Sequence, residues 1–208
     1  MWIKICGITN ERDALAAVEA GADALGFIFV GSSRRAISRK TCSEILRAIP
    51  HSVLTVGVVA NEDPVFLKDL LRVCPLGALQ FHGDEPPEAV LPFKEHAKVI
   101  KAIRVKDASS LKQIPLYQGV DAVLLDTHWP GRKGGTGVPF DWALAVEAKK
   151  YGIPVIVAGG LNPQNVQEVA RAVDPWGVDV AGGVELAPGR KDHDLIREFV
   201  TKARSAVK

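Results

Sequence analysis

Short apolar runs and amphipathic helical stretches alternate along the whole of this 208-residue chain, eight times over. That rhythm leaves few folds open. Strands are predicted over residues 2–6, 24–30, 53–59, 77–81, 98–103, 120–125, 153–157 and 178–181. Most lack the in–out alternation of a sheet wetted on one face, so both faces are predicted to be covered, as in a parallel sheet under helices. Helix signals fill the gaps. Asn10 can cap a helix that stops at Gly21, and residues 39–49 form the second helix. Asp63-Pro64 pairs a cap with a proline at the first helical position, after which Leu67, Leu70, Leu71 and Cys74 share one face. Pro86-Pro87 opens the next helix, a weaker one is predicted near residues 108–113, and another runs over 140–150 before Gly152. Asn162-Pro163 caps a helix with Val166, Val169, Ala170 and Val173 on one face, and the last helix is predicted over 191–206.

Parallel strands linked by helices cross over right-handed. No linker, low-complexity tract or break in composition divides the chain. The prediction is an α/β protein, a single (β/α)8 TIM barrel with residues 1–208 as one domain near the lower size limit of that fold. An open, doubly wound sheet is the alternative, and even spacing of eight units favours closure. A 47% hydrophobic content supplies a sizeable core, and a net charge of +2 gives no general attraction to nucleic acid or an anionic membrane. Cys6, Cys42 and Cys74 are odd in number and far apart, which supports neither a disulfide framework nor a zinc site. The beginning MWIKICGIT lacks the pattern of a signal peptide, and no apolar run approaches the ~20 residues needed to span a bilayer. A cytoplasmic protein is expected, with no nucleic-acid or membrane partner. A second copy of the chain stays open as a partner.

In a barrel of this kind the chemistry sits where strands end and loops begin. The residues at those places are Cys6, Arg34 with Arg35, Asn61, His82, Arg104, Asp126, Gly159-Gly160 and Gly182-Gly183. The stretch 120–142 stands out: an apolar strand runs into Asp126, and a loop with Gly131, Gly134, Gly135 and Gly137 follows. Asp126 reads equally as a site carboxylate or as a turn cap. Glycines after the seventh and eighth strands let backbone N–H groups approach a phosphate, although glycine also ends many strands without one. GRKGGTG lacks the lysine placement of a P-loop. Cys6 reads either as a small buried hydrophobe or as a reactive thiol. His82 can bind a ligand or bond a backbone carbonyl. Arg34, Arg35, Arg39 and Lys40 form a solvated basic face, or lend one arginine to grip a carboxylate.

Several motifs together resemble one family. They are KICGI at residues 4–8, GFIF at 26–29 with Ser33-Arg34-Arg35, and QFHGDE at 80–85. LLDT at 124–127, GGTG at 134–137 with FDW at 140–142, AGGL at 158–161 and GVE at 183–185 continue in order. The chain resembles the phosphoribosylanthranilate isomerases of tryptophan biosynthesis. The resemblance implies an Amadori rearrangement of N-(5-phosphoribosyl)anthranilate, a small sugar-phosphate substrate, with no cofactor and no metal. It implies Asp126 as general acid, Cys6 as the thiolate general base, and Arg35 with His82 at the substrate. It also implies a phosphate cradle of Gly159, Gly160, Gly182 and Gly183. Two departures stand out. Ala181 and Gly182 replace serines common in the family, and Arg34 replaces the proline common before the loop arginine. Sister barrels acting on other sugar phosphates fit less well, because one calls for a catalytic lysine and glutamates at strand ends and another for an aspartate where Cys6 stands. A phosphate-binding module without catalysis would keep the glycines and dispense with Cys6 and Asp126.

Overall fold

The computed structural model describes residues 1–126 and 142–206. Eight parallel strands pair in chain order and close into a barrel. They are β1 (Trp2–Cys6), β2 (Ala24–Ile28), β3 (Leu54–Val59), β4 (Ala78–Phe81), β5 (Lys98–Arg104), β6 (Ala122–Asp126), β7 (Val155–Ala158) and β8 (Gly177–Val180). Closure is made by β1 against β8, from the Trp2–Gly177 pair to the Ile5–Val180 pair. The open doubly wound alternative is thereby excluded. No helix among the described residues is long and apolar enough to cross a membrane. The glycine-rich run of residues 127–141 lies outside the described residues.

Local chemistry sets most of the crossovers. α1 (Glu11–Glu19) begins where the Asn10 side chain accepts from the Asp13 N–H. α2 (Arg39–Ala48) is capped by Ser38, and α3 (Pro64–Val73) by Asp63 with Pro64 in its first turn. After β4 the chain forms only α4 (Pro87–Val90) and a 3-10 turn over Leu91–Glu95, because Pro92 has no N–H to extend an α-helical ladder. Between β5 and β6 a 3-10 run, Ala108–Tyr117, replaces the weak helix expected near 108–113. It starts from a capping box of Asp107 and Ser110 and contains Pro115.

The C-terminal third departs from expectation in three places. α5 (Trp142–Ala148) gives way to a 3-10 turn at Lys149–Tyr151, closed by Gly152 in the left-handed region. Asn162 does not cap a helix directly. Its side chain accepts from the Gln164 and Asn165 N–H groups in a preceding turn, and α6 (Val166–Val173) follows. The last helix, α7 (His193–Ser205), begins at the Asp192 cap, so Lys191 is not helical. Lys191 belongs to a small antiparallel ribbon of β9 (Glu185–Ala187) and β10 (Arg190–Lys191), too short to leave a period in the sequence.

The core has two shells. Small side chains fill the inside of the barrel, chiefly Ala24, Ala78, Ala102, Ala122 and Ala158 with Val56, Ile100, Leu124 and Ile156. Trp2 and Leu54 pack beneath them at the N-terminal end, where Trp2 stacks on Trp176 with ring centroids 5.1 Å apart. The larger residues, including Ile3, Ile5, Phe27, Leu70, Leu79 and Phe199, lie between barrel and helices. Fully burying such a side chain contributes roughly 1.5–3 kcal/mol.

One charged pair is set in the outer shell near the mouth. The Lys101 ammonium donates to the carbonyls of Phe81 and Gly83 and to Glu85 Oε2 at 2.8 Å. Glu85 also accepts from the N–H groups of Asn61 and Gly83, and its carbonyl takes the Tyr117 hydroxyl. Lys101 and Glu85 side chains are only 2% and 7% exposed, so neither charge can turn to water once its partner is gone. Lys101→Met is expected to lower unfolding free energy by about 3–5 kcal/mol in chemical denaturation, with much of the loss recovered in Lys101→Met/Glu85→Leu. An unchanged denaturation midpoint in the single variant would show that Glu85 finds other compensation.

Candidate active site

Strand geometry decides which side chains reach the inside of the barrel. Successive residues point to opposite faces, so Ile3 and Ile5 of β1 face the helices while Trp2, Lys4 and Cys6 face inward. Cys6 is buried at the C-terminal end of β1, opposite Gly26 of β2. A Cβ at Gly26 would lie 2.7 Å from the Cys6 sulfur, so glycine there makes the space the thiol occupies. One layer down, Lys4 is fully buried and its ammonium lies 2.8 Å from Asp179 Oδ1, on the neighbouring β8. Burial pushes the Cys6 thiol above its ordinary range. The Lys4 charge pulls the other way, Asp179 adds to the rise, and Lys191 opposes it.

Asp126 ends β6, three strands from β1 around the closed sheet. Its Oδ2 lies 3.0 Å from His82 Nε2. The other ring nitrogen, Nδ1, lies 3.0 Å from Gln80 Nε2, and Gln80 faces the interior of β4. With the amide nitrogen of Gln80 donating, Nδ1 accepts and the ring proton sits on Nε2, aimed at the carboxylate. Gln80 Oε1 is buried with no hydrogen-bond partner among the described residues. The loop that carries His82 is held from both sides. Arg104 donates to the His82 carbonyl, and the Lys101–Glu85 pair fixes the next three residues. His82, expected at the substrate, therefore touches the carboxyl of Asp126.

Arg35 and Arg34 separate clearly. Arg34 is exposed, whereas Arg35 is half-buried and gives Nε and Nη2 to Glu185, the latter at 2.6 Å. The Arg35 stem crosses Gly7, whose φ of +77° and missing Cβ leave room for it. Glu185 also receives the Lys191 ammonium, which donates as well to the carbonyls of Cys6 and Ala181. Burial works to raise the Glu185 carboxyl, but bonds from Arg35 and Lys191 hold it below its ordinary value. The guanidinium of Arg35 is thus brought to the strand-one mouth already oriented by a carboxylate.

The glycine pairs have different physical reasons. Gly159 and Gly160 both have positive φ, and nothing lies within 4 Å of a Cβ placed on Gly160, so that corner faces open space. At Gly183 a Cβ would fall 1.9 Å from the Leu161 carbonyl oxygen, so glycine is required there by the contact between the two loops. At Gly182 it would lie 3.3 Å from Arg35 Nη2.

Sequence reasoning gave no role to Lys4, Gln80, Asp179, Glu185 or Lys191. A signal was present for three of them. Lys4, Gln80 and Asp179 are polar residues inside otherwise apolar parallel strands, and Lys4 and Gln80 lie two positions before Cys6 and His82. Two-residue periodicity puts each on the inner face.

Strand ends carrying a buried thiol, a histidine-bonded carboxyl and an oriented arginine, all at one mouth of a closed (β/α)8 barrel, describe an enzyme of the acid–base class. The family model for N-(5'-phosphoribosyl)anthranilate isomerase matches residues 3–202. The chain belongs to that family. Among its relatives, the N-(5'-phosphoribosyl)anthranilate isomerase of Geobacter sulfurreducens is 50% identical over 202 residues, covering 97% of this chain and 98% of the relative. A phosphoribosylanthranilate isomerase solved with reduced 1-(o-carboxyphenylamino)-1-deoxyribulose 5-phosphate superposes with a TM-score of 0.90 at 39% identity, over 99% of each chain. A structure of monomers generated from the dimeric enzyme of Thermotoga maritima gives 0.88 at 37% identity, again over 99% of each chain.

Because the Gly26 contact involves the Cys6 backbone as well as its sulfur, the thiol cannot escape a new methyl by rotation alone. Gly26→Ala is expected to lose kcat by more than about tenfold while costing about 1–3 kcal/mol of stability from overpacking. Steady-state kinetics beside a denaturation curve test this, and wild-type kcat in the folded variant would mean the thiol position is not critical.

Proposed function

We propose that residues 1–208 form one barrel domain that converts N-(5'-phosphoribosyl)anthranilate to 1-(2-carboxyphenylamino)-1-deoxyribulose 5-phosphate, with Asp126 as general acid and Cys6 as general base. The observation that carries the assignment is the placement of the two groups. Each ends an apolar strand, on β1 and β6, and each has its own support from the layer beneath. The relative solved with a reduced form of that product supports the choice of substrate.

The chemistry runs through acid-assisted ring opening, proton abstraction at C2 and a final tautomerisation. Asp126, carrying a proton, gives it to the furanose ring oxygen. The C1–O bond breaks as the anilino nitrogen lone pair forms the C=N bond, leaving an open-chain Schiff base. The Cys6 thiolate then takes the proton from C2, and the electrons of that C–H bond move to neutralise the iminium nitrogen. The enolamine formed loses its hydroxyl proton and gains one at C1, giving the ketone. His82 holds the Asp126 carboxyl in one rotamer through Nε2, which makes it a positioning residue for the acid.

The remaining residues bind. Arg35 presents its guanidinium at the β1 mouth, and the anthranilate carboxylate is its ligand. Glu185 holds Nε and one face of the fork, so the carboxylate is received by the remaining donors or by exchange with Glu185. Gly159, Gly160, Gly182 and Gly183 hold the phosphate through backbone N–H groups, Gly160 being the corner with the most room. A second copy of the chain is the proposed protein partner, supported by the dimeric state named for the Thermotoga maritima relative.

Phosphoribosylanthranilate fluoresces, so its consumption can be followed directly. Cys6→Ala and Asp126→Asn are each expected to lose about 10²–10⁴-fold in kcat or more, with far smaller change in KM. Cys6→Ser should not recover activity, because a hydroxyl is a far weaker base near neutral pH. Near-wild-type turnover in either variant, with its circular dichroism unchanged, removes that residue from the mechanism. For the binding assignment, Arg35→Lys is expected to raise KM, since lysine lacks the planar fork, while Arg34→Lys leaves KM unchanged. The reverse pattern would give the carboxylate to Arg34.

A further inference from the structure

A buried thiol is a poor base, because taking it out of water favours the neutral form. Cys6 is 5% exposed, so something in the structure must favour its thiolate. Three cations face it. Lys191, from β10, has its three N–H donors committed to the carbonyls of Cys6 and Ala181 and to Glu185. Arg35, from the loop after β2, is engaged by Glu185. Lys4 comes from the same strand and the same inner face, with its ammonium in the closed interior directly below the thiol. It donates to Asp179 on β8 at 2.8 Å, and its positive charge favours the ionised form of Cys6. The Asp179 carboxylate works against ionisation of Cys6.

We propose that Lys4, held by Asp179 one layer beneath the thiol on the same inner face of β1, is the positioning residue that makes Cys6 a base. The inference rests on the assignment of Cys6 to proton abstraction. When the thiol ionises its proton goes to solvent, and the Lys4 ammonium keeps all three of its own. One of its N–H groups points at the Asp179 carboxylate, and its charge lies beneath the thiolate sulfur. When the sulfur takes the C2 proton it becomes a thiol again, and Lys4 neither gains nor loses a proton. Asp179 has two opposed effects. Its charge acts directly against the thiolate, but it also keeps Lys4 protonated in a site where burial alone would strip the ammonium. Removing either member should therefore weaken the base. The arrangement follows the logic of an activated group oriented by a second residue that a third holds in place.

The test is the pH dependence of kcat/KM in wild type, Lys4→Met and the double variant Lys4→Met/Asp179→Leu. The double variant replaces a buried ion pair by apolar side chains, a change that barrels of this kind should survive even where the single variant does not fold. In each folded variant the acidic limb is expected to move up by at least about one pH unit, equivalent to about tenfold less thiolate at neutral pH. Activity should recover as pH rises, and KM should change little, because Lys4 lies beneath the site. A limb in the wild-type position in a folded variant overturns the proposal. A second measurement needs no change at position 4: the side-chain nitrogen resonance of Lys4 in the wild-type enzyme should shift as the thiol ionises, and that shift should vanish in Cys6→Ala. A Lys4 signal that ignores the thiol also overturns it. Cys6→Ala kinetics separate the two failures. An active Cys6→Ala sinks the base assignment itself, whereas an inactive one beside an unmoved limb sinks only the role of Lys4.

Discussion

The Lys191 ammonium, buried at the seam of the barrel, ties the mouth together. It donates to the carbonyl of Cys6, where β1 ends, to the carbonyl of Ala181, just past β8, and to Glu185. A lysine that is 2% exposed must have every donor satisfied, so it fixes the two strand ends at which the sheet closes. Burial pulls the Lys191 pKa down, and Glu185 opposes that pull without cancelling it. Arg35 then docks on the far side of Glu185. The backbone of the proposed base, the closing seam and the proposed carboxylate-binding arginine share one chain of contacts.

A second buried lysine does similar work across the barrel. Lys101 holds the loop after β4 as Lys191 holds the loop after β8, and each is neutralised by a glutamate two residues past a glycine, Glu85 after Gly83 and Glu185 after Gly183. These pairs are costly to break, because a lone charge at such a depth has no water to turn to. Their benefit is geometric. One loop presents His82 to Asp126, and the other presents Glu185 to Arg35. Inside the barrel the same division recurs one layer below the mouth. Gln80 bonds His82, and Lys4, paired with Asp179, lies beneath Cys6, while the layers below are apolar. Separate polar groups thus lie beneath the proposed acid and the proposed base.

The chain's own sequence determined the eight β-α units, their order, the Asn10 and Asp63 caps, and the residues at the strand ends. Those features are local: runs of apolar residues, caps, prolines and glycines act within a few positions. Asp126, Cys6, Arg35 and His82 could be named as candidates because a barrel has only one kind of mouth. Only the tertiary structure decided what each of them touches. That His82 bonds Asp126, that Lys191 leaves the last helix to close the barrel, and that Gly183 yields to the Leu161 carbonyl depend on segments distant in the chain. The strands β9 and β10, three and two residues long, have no period to read, and Pro92 and Pro115 turn two expected helices into 3-10 turns whose position is fixed by packing. Local pattern sets which face a residue takes. Its partner across the barrel is set by closure, which no stretch of the sequence contains by itself.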